Sequence, residues 1–520
     1  SASSSVSASK DHGKFRDYLD LSLPISEISP HRLLAMLRGE REGVLSLHLA
    51  PEEEDGLSIM EEVFVKGDGP ASQQVRRALE DSYRRLLSPS MENETLASAR
   101  SHAEELAIDV FAQNLRSVLL DPPLGHKRVL AVDPGFRTGC KLVVLDSLGR
   151  LQKSAVIYPH DTARRREEAE ARVREICREN AIEVIAVGNG TAGRETEAFL
   201  SGLRMPVPVI MVNESGASVY STSEVARQEF PEHDATVRGA VSIGRRLMDP
   251  LAELVKIEPR AIGVGQYQHD VDQSALKRAL DDVVMSCVNL VGVDLNAASR
   301  ELLAYVSGLG PRLAEALVRY RNENGIFRSR KDLLRVPRLG PRAFEQAAGF
   351  LRISDGENPL DGTAVHPESY SIVEKMAKDL GVTVRELMRN ESLLRRIDPK
   401  RYQSEKAGEA TVQDIIEELS RPGRDPRKAF EAFSYAPGIE KIEDLKPGMK
   451  LPGVVTNVTA FGAFVDVGVH QDGLVHISEL CDGFVRDPTA VVRPRQRVTV
   501  RVLDVDLERK RISLSMKTAV

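Results

Sequence analysis

The feature that most constrains this chain is the stretch beginning at Leu451, which reads LPGVVTNVTAFGAFVDVG, then QDGLVHISEL, then VVRPRQRVTVRVLDVDLERKRISLSMK. Val and Thr recur at the period of short, half-buried strands, and glycines mark the bends between them. Such a pattern suits a small closed barrel of five strands. Gly462 stands between Phe461 and Phe464. A glycine there permits a bulge or sharp coil, so both rings can reach one face in spite of their odd spacing.

Over its full length this segment resembles the S1 family of OB-fold domains. The resemblance rests on the LPGVV opening, the FGAFVDVG hairpin, the GLVHIS strand and the closing RISLSMK. It implies an RNA-binding face in which Phe461, Phe464 and His476 supply stacking surfaces, Asp506 and Arg511 flank them, and Lys510 adds charge. Every base has a π-face, so such platforms hold single strands with little sequence preference. The structural alternative makes Phe464 barrel core and His476 a packed strand residue, while Phe461, beside the bend, is better placed for exposure. From Lys450 onward there are ten Lys/Arg and eight Asp/Glu, so the expected affinity is modest.

At 520 residues the chain is too long for one core and implies three or four domains. A net charge of -6 rules out a polycation, so any phosphate binding must come from local basic faces. Cys140, Cys177, Cys287 and Cys481 lie far apart, which argues against a zinc ribbon or a disulfide framework and fits a reducing, cytoplasmic setting. No apolar run is long enough for a membrane helix. The opening SASSSVSASK reads as a flexible end.

Two stretches, LLAYVSGLGPRLAEALVRY from Leu302 and LLRVPRLGPRAFEQAAGF from Leu333, repeat one pattern: a helix end, a glycine turn, then Pro-Arg opening a helix. They resemble tandem helix–hairpin–helix motifs. Gly308 and Gly310 permit the tight turn and a close phosphate, Pro311 suits the first helical position, and Arg312 follows it. Free amides at the helix start attract an anion without reading sequence. Between Ser299 and Arg352 there are eleven Lys/Arg against five Asp/Glu, in a chain that is acidic overall. In the second copy Arg338 stands where the first glycine would be. The alternative is a packing module whose hairpins face other domains.

RVLAVD, LVVLD and LQKSAVIY read as three strands in hairpin order, followed by a charged helix (163–180) and two buried strands, IEVIAVGNG and VPVIMVN. That order matches an RNase-H-like sheet with helices on its faces better than a doubly wound one. Asp133 ends the first strand, and a strand-end carboxylate can hold Mg²⁺. VDPGFRTGCK, GNGTAGRETE, NESGASVYS, RGAVSIGRRLMDPLAELVKIEP and IGVGQYQHDVDQ resemble the Tex family of transcription accessory proteins, from about Phe15 to Lys517. That resemblance implies a YqgF-type, RuvC-like domain, then the hairpin pair, then S1, and binding rather than cleavage. Members usually carry a longer helical region ahead of such a chain. A metal-dependent, Holliday-junction-resolvase-type nuclease is the rival, with Asp133, Glu195 and Asp234 as catalytic carboxylates and Mg²⁺ as cofactor. Against it, Asn189 stands where a second carboxylate would be useful. His269 and Asp270, side by side, read as a packed loop and not as metal ligands.

The expectation is therefore a multi-domain α+β protein. It has a mainly helical N-terminal region (1–125), a YqgF/RNase-H-like domain (126–250), a helical linker (251–298), a tandem helix-hairpin-helix (299–352), a helical connector (353–446) and an S1 barrel (447–520). Its expected role is a non-catalytic scaffold in transcription that binds single-stranded RNA or DNA, with RNA polymerase or ribosome-associated machinery as partners. A pure protein-interaction platform on the polymerase, with vestigial binding modules, is a third reading.

Overall fold

The computed structural model describes residues 2–517 apart from 7–12, 20, 264, 266–267, 405–406, 432–434, 437–438, 440, 460, 470, 486, 495 and 508. The N-terminal region holds β1 (Ala2–Val6), β2 (Ser22–Leu23), α1 (Pro30–Arg41), β3 (Leu45–Leu49), α2 (Glu53–Phe64), α3 (Pro70–Ser82) and the 32-residue α4 (Ser88–Leu119). The first residues, expected as a flexible end, instead supply the middle strand of a small antiparallel sheet, with β1 paired to β2 and β3. Pro30 and Pro70 each open a helix, where a missing N–H costs nothing.

β4 (Val129–Asp133), β5 (Cys140–Leu145), β6 (Leu151–Ile157), β7 (Val184–Gly188) and β8 (Val209–Val212) form one sheet in the order β6-β5-β4-β7-β8. The first three strands are antiparallel, while β4, β7 and β8 run parallel. α5 (Ala163–Glu179) and α6 (Gly193–Gly202) cover one face through Val173, Ile176, Phe199 and Leu200. α7 (Ala217–Thr222) and α8 (Glu224–Glu229) lead to α9 (Ala235–Met248), which covers the other face through Ala240, Ile243 and Leu247. β4 is buried on both faces, which is why RVLAVD reads as a continuous apolar run.

Next come α10 (Pro250–Leu254), α11 (Gln273–Val291) and β9 (Val293–Asp294), then the hairpin helices α12 (Arg300–Ala304), α13 (Gly310–Asn324) and α14 (Pro341–Ala347), closed by β10 (Leu351–Arg352). β10 lies parallel to β9 and clasps the two ends of the hairpin pair. The regions 1–125, 251–298 and 299–352 contribute to one continuous core, in which Leu115 and Leu119 of α4, Leu280 and Val284 of α11 and Leu317 of α13 are buried together.

α15 (Tyr370–Asp379), α16 (Val384–Leu387), α17 (Glu391–Leu394) and α18 (Glu409–Ser420) enclose a core of their own around Val373, Met376, Leu387 and Val412. Arg330 locks this unit to the hairpins. It is 1% exposed, and its guanidinium donates to the carbonyls of Leu351, Thr363 and Val365 and to the Tyr370 hydroxyl. Every donor on so buried a cation needs such an acceptor. The chain ends in a closed barrel of β11 (Lys450–Thr459), β12 (Gly462–Asp466), β13 (Gly473–His476), β14 (Arg497–Asp506) and β15 (Arg511–Ser515), in the order β11-β12-β13-β15-β14.

Candidate nucleic-acid interface

The barrel register sorts its side chains into two layers. Phe464 lies opposite Leu474, Leu474 opposite Ser513, and Ser513 opposite Asp504, while Asp506 faces Arg511. Val465, Val475, Ile512 and Leu514 alternate with these and are buried in the barrel core. Phe464, His476, Arg511 and Ser513 therefore share the outer face, where Phe464 is half-buried and the other three are exposed. Gly462 has φ +150°, and a Cβ there would run into the Val475 carbonyl oxygen, so only glycine fits. The resulting bend brings Phe461 beside Phe464, ring centroids 6.1 Å apart and nearly perpendicular.

His476 is oriented by Ser478, whose hydroxyl lies 2.9 Å from Nδ1. Asp506 accepts from the Arg509 amide at 2.9 Å and so shapes the β14–β15 turn, in which Lys510 is left-handed at φ +52° and exposed.

Phe461 departs from the expectation of an open ring. It is half-buried, and the imidazole of His31, at the start of α1, lies over it with ring centroids 4.7 Å apart. The cause is tertiary: α4 docks on β11, where the buried Asn114 amide donates to Asn457 Oδ1 at 2.9 Å and to the Val458 carbonyl, and α1 packs on α4. Burial, then the charge of Arg32, holds the His31 imidazole below its usual pKa.

At the first hairpin, Gly308 and Gly310 are both left-handed, at φ +86° and +66°. Gly308, expected to admit a phosphate, is approached by the second hairpin: a Cβ there would lie 2.6 Å from Gln346 Cβ. Gly310 has open space around it, opens the 15-residue α13, and is followed by the exposed Pro311 and Arg312. Arg338 adopts the same left-handed conformation, at φ +71°, as its glycine counterpart.

The strand-end carboxylates are arranged differently from the sequence expectation. Asp133 couples to Glu214, and its pKa is pushed up to about 6, first by burial and then by the Glu214 charge, with Lys141 opposing. Glu214 is itself raised by burial, against the Gly190 amide and Arg246. Its carboxylate fills the room left by two glycines, since a Cβ on Gly188 or Gly190 would overlap it. Glu195 is exposed on α6, and its charge acts on His160. Asp234 caps α9, accepting from the Thr236 and Val237 amides at 2.9 Å, and these bonds hold its pKa down. Among the described residues no group of three or more His, Cys, Asp or Glu is placed to hold a metal ion. Glu214 is the member that sequence reasoning passed over, and the Gly-Asn-Gly that makes room for it was the available signal. Asp270 is held by Arg38 and Arg41, at 3.3 and 2.5 Å, as expected of a packed loop; part of that loop (264, 266–267) lies outside the described residues.

A closed barrel with rings on its outer face, glycine hairpins that open helices, and an RNase-H-like sheet together define a multi-domain protein of the nucleic-acid-binding class. Family profiles agree: Tex central region-like at residues 1–111, Tex protein YqgF-like domain at 127–248, helix-hairpin-helix motif at 288–352, HHH domain at 358–427 and S1 RNA binding domain at 444–517. The chain is 48% identical to Protein YhgF of Escherichia coli, over 98% of this chain and 68% of that protein. It is 48% identical to the transcriptional accessory protein Tex of Neisseria gonorrhoeae, over 97% of this chain and 68% of that one. It is also 34% identical to the human S1 RNA-binding domain-containing protein 1, over 98% of this chain and 58% of that one. The chain belongs to the Tex family, and it spans about two thirds of the length of these bacterial relatives. The segment read as a helical connector carries the second hairpin-type match.

Proposed function

We propose that this chain is a transcription accessory factor that binds single-stranded RNA or DNA on the outer face of its barrel. Phe464 and His476 serve as stacking surfaces, Phe461 joins them, and Asp506, Lys510 and Arg511 line the rim. The observation that carries this reading is the shared outward face of Phe464, His476 and Arg511, with an apolar layer sealed behind it. A second contact holds backbone phosphate at Gly310 and Arg312, where a left-handed glycine and an exposed arginine open a long helix. Gly308 supports that contact by letting the second hairpin close behind it.

The Neisseria relative is called a transcriptional accessory protein, which supports a role in transcription; RNA polymerase and ribosome-associated machinery are the protein partners of this reading. A cytoplasmic setting accords with four free cysteines. Among the described residues no helix is long and apolar enough to cross a membrane. Binding of this kind needs no cofactor.

The test is a titration of labelled oligouridylate, its deoxy counterpart and a duplex at two salt concentrations, with the full chain and with a variant ending at Lys446. Single-strand affinity that survives the truncation removes the barrel from the mechanism. One observation favours cleavage as a second reading, the Asp133–Glu214 carboxylate pair beyond the strand ends of the sheet. Mg²⁺-dependent cutting of branched substrates that Asp133→Asn abolishes would establish it.

A further inference from the structure

Phe461 is met by a ring from a distant part of the chain. His31 lies over the ring at a centroid distance of 4.7 Å and a tilt of 48°, a separation too small for a planar base to enter between the two. His31 follows Pro30, the first residue of α1, and the extended Ser29 before it. The contact is one of rings and not of polar groups: His31 Nδ1 is buried without a hydrogen-bond partner among the described residues, and Nε2 reaches only the Ser29 hydroxyl, at 3.4 Å. A short distance away, Asn114 binds Asn457 and the Val458 carbonyl, and Asn457 is the register partner of Phe464. The helical N-terminal region thus abuts the same barrel face that carries the rings.

We propose that His31 occupies the position of a nucleobase on Phe461, so that α1 is an intramolecular competitor which an incoming base must displace. This rests on the reading of Phe461 as a stacking surface. The physical grounds are that an imidazole is a flat heteroaromatic ring of the same kind as a base, smaller than a purine, and held by one long polar contact, to its own neighbour Ser29. Its buried, unsatisfied nitrogen regains a partner in water when it leaves. A base with a larger face and a phosphate to anchor it at the Arg511 rim replaces it at a net gain, while in the absence of ligand the ring keeps Phe461 out of water. The Asn114 amide fixes the barrel beside α1, so the exchange requires only the first turn of α1 to shift and not the departure of the whole barrel.

Oligouridylate titrations of the full chain carrying His31→Ala, Phe461→Ala or both separate the possibilities. The expected result is about three- to ten-fold tighter binding for His31→Ala, the loss of one ring-on-ring contact expressed as an affinity. Phe461→Ala binds more weakly, and the double variant binds like Phe461→Ala alone. If Phe461→Ala leaves affinity unchanged, the stacking reading itself fails. If Phe461→Ala weakens binding while His31→Ala leaves it unchanged or weakens it too, only the competitor role fails. The chain contains no tryptophan, so His31→Trp supplies a single emission reporter at the contact, independent of any loss of affinity. Its emission should shift to the red when oligouridylate is added. A spectrum unmoved at saturating ligand overturns the displacement.

Discussion

The barrel and the RNase-H-like sheet both carry acidic groups to strand ends, and they treat them in opposite ways. In the barrel, Asp506 sits across from Arg511 at the mouth of a hairpin, and its carboxylate is spent on the turn amide of Arg509. In the sheet, Asp133 is brought against a second carboxylate, Glu214, in a half-buried place with one lysine as counterweight. The first arrangement is at rest without a ligand. The second holds like charges together and stays protonated further up the pH scale than a free carboxyl. A face that is at rest when empty suits reversible binding of many sequences, whereas a strained pair is retained at a cost in stability and must be tested for what it gains.

The largest effect expected from breaking this comparison lies in the barrel. Replacing both rings, Phe461→Ala with Phe464→Ala, should weaken single-strand binding on the order of a hundredfold, since each platform contributes about 1–3 kcal/mol. Fluorescence anisotropy with oligouridylate measures it, and a change below threefold would show that the rings are not the binding surface.

On the sheet side, Asp133→Asn should raise stability at neutral pH by on the order of 2 kcal/mol. The sign follows from proton binding. Between the ordinary carboxyl pKa and about 6, the folded state keeps a proton that the unfolded chain has released, so stability falls as pH rises through that window and levels off above it. The gain from Asp133→Asn should therefore vanish near pH 4, a value of about the free carboxyl pKa. Thermal melts across pH 4 to about 8 read this directly. A variant less stable than its parent at pH 7, together with a parent stabilised by Mg²⁺, would mean that the pair is kept for a cation.

Two smaller changes sharpen the contrast. Arg511→Gln should cost severalfold in affinity and lower the slope of log affinity against log salt by about 1, because it removes one phosphate contact. Gly190→Ala places a methyl group where the Glu214 carboxylate lies. It should drive the two carboxylates apart, lower the Asp133 pKa toward the ordinary range in an NMR titration, and leave oligouridylate binding untouched.

The sequence made some of this legible for physical reasons. Alternation and glycine punctuation are local signals, so the barrel, the hairpin pair and the strand order of the sheet could all be read from runs of neighbouring residues. The bend at Gly462 was readable because only one residue type tolerates that backbone. The placement of carboxylates was not, since Asp133 meets Glu214 through strand ends far apart in sequence and Glu195, close to the right strand, points its charge at His160 instead. Gly308 looked like a ligand glycine and proved to be a packing glycine as well, because local sequence does not say which neighbour makes the close approach. His31 over Phe461 has no local signature at all; it follows from α4 laying the N-terminal region against the barrel.

That helix has one more consequence. α4 runs for 32 residues, or about 48 Å at 1.5 Å per residue, and touches α1, α11 and the barrel strand β11 along its length. A rod of that kind is a lever: a tilt of about 5° at the barrel moves its far tip by about 4 Å. A pull on a strand held at the rings would thus be felt at the far end of α4, on the α3 side, as displacement and not as local strain.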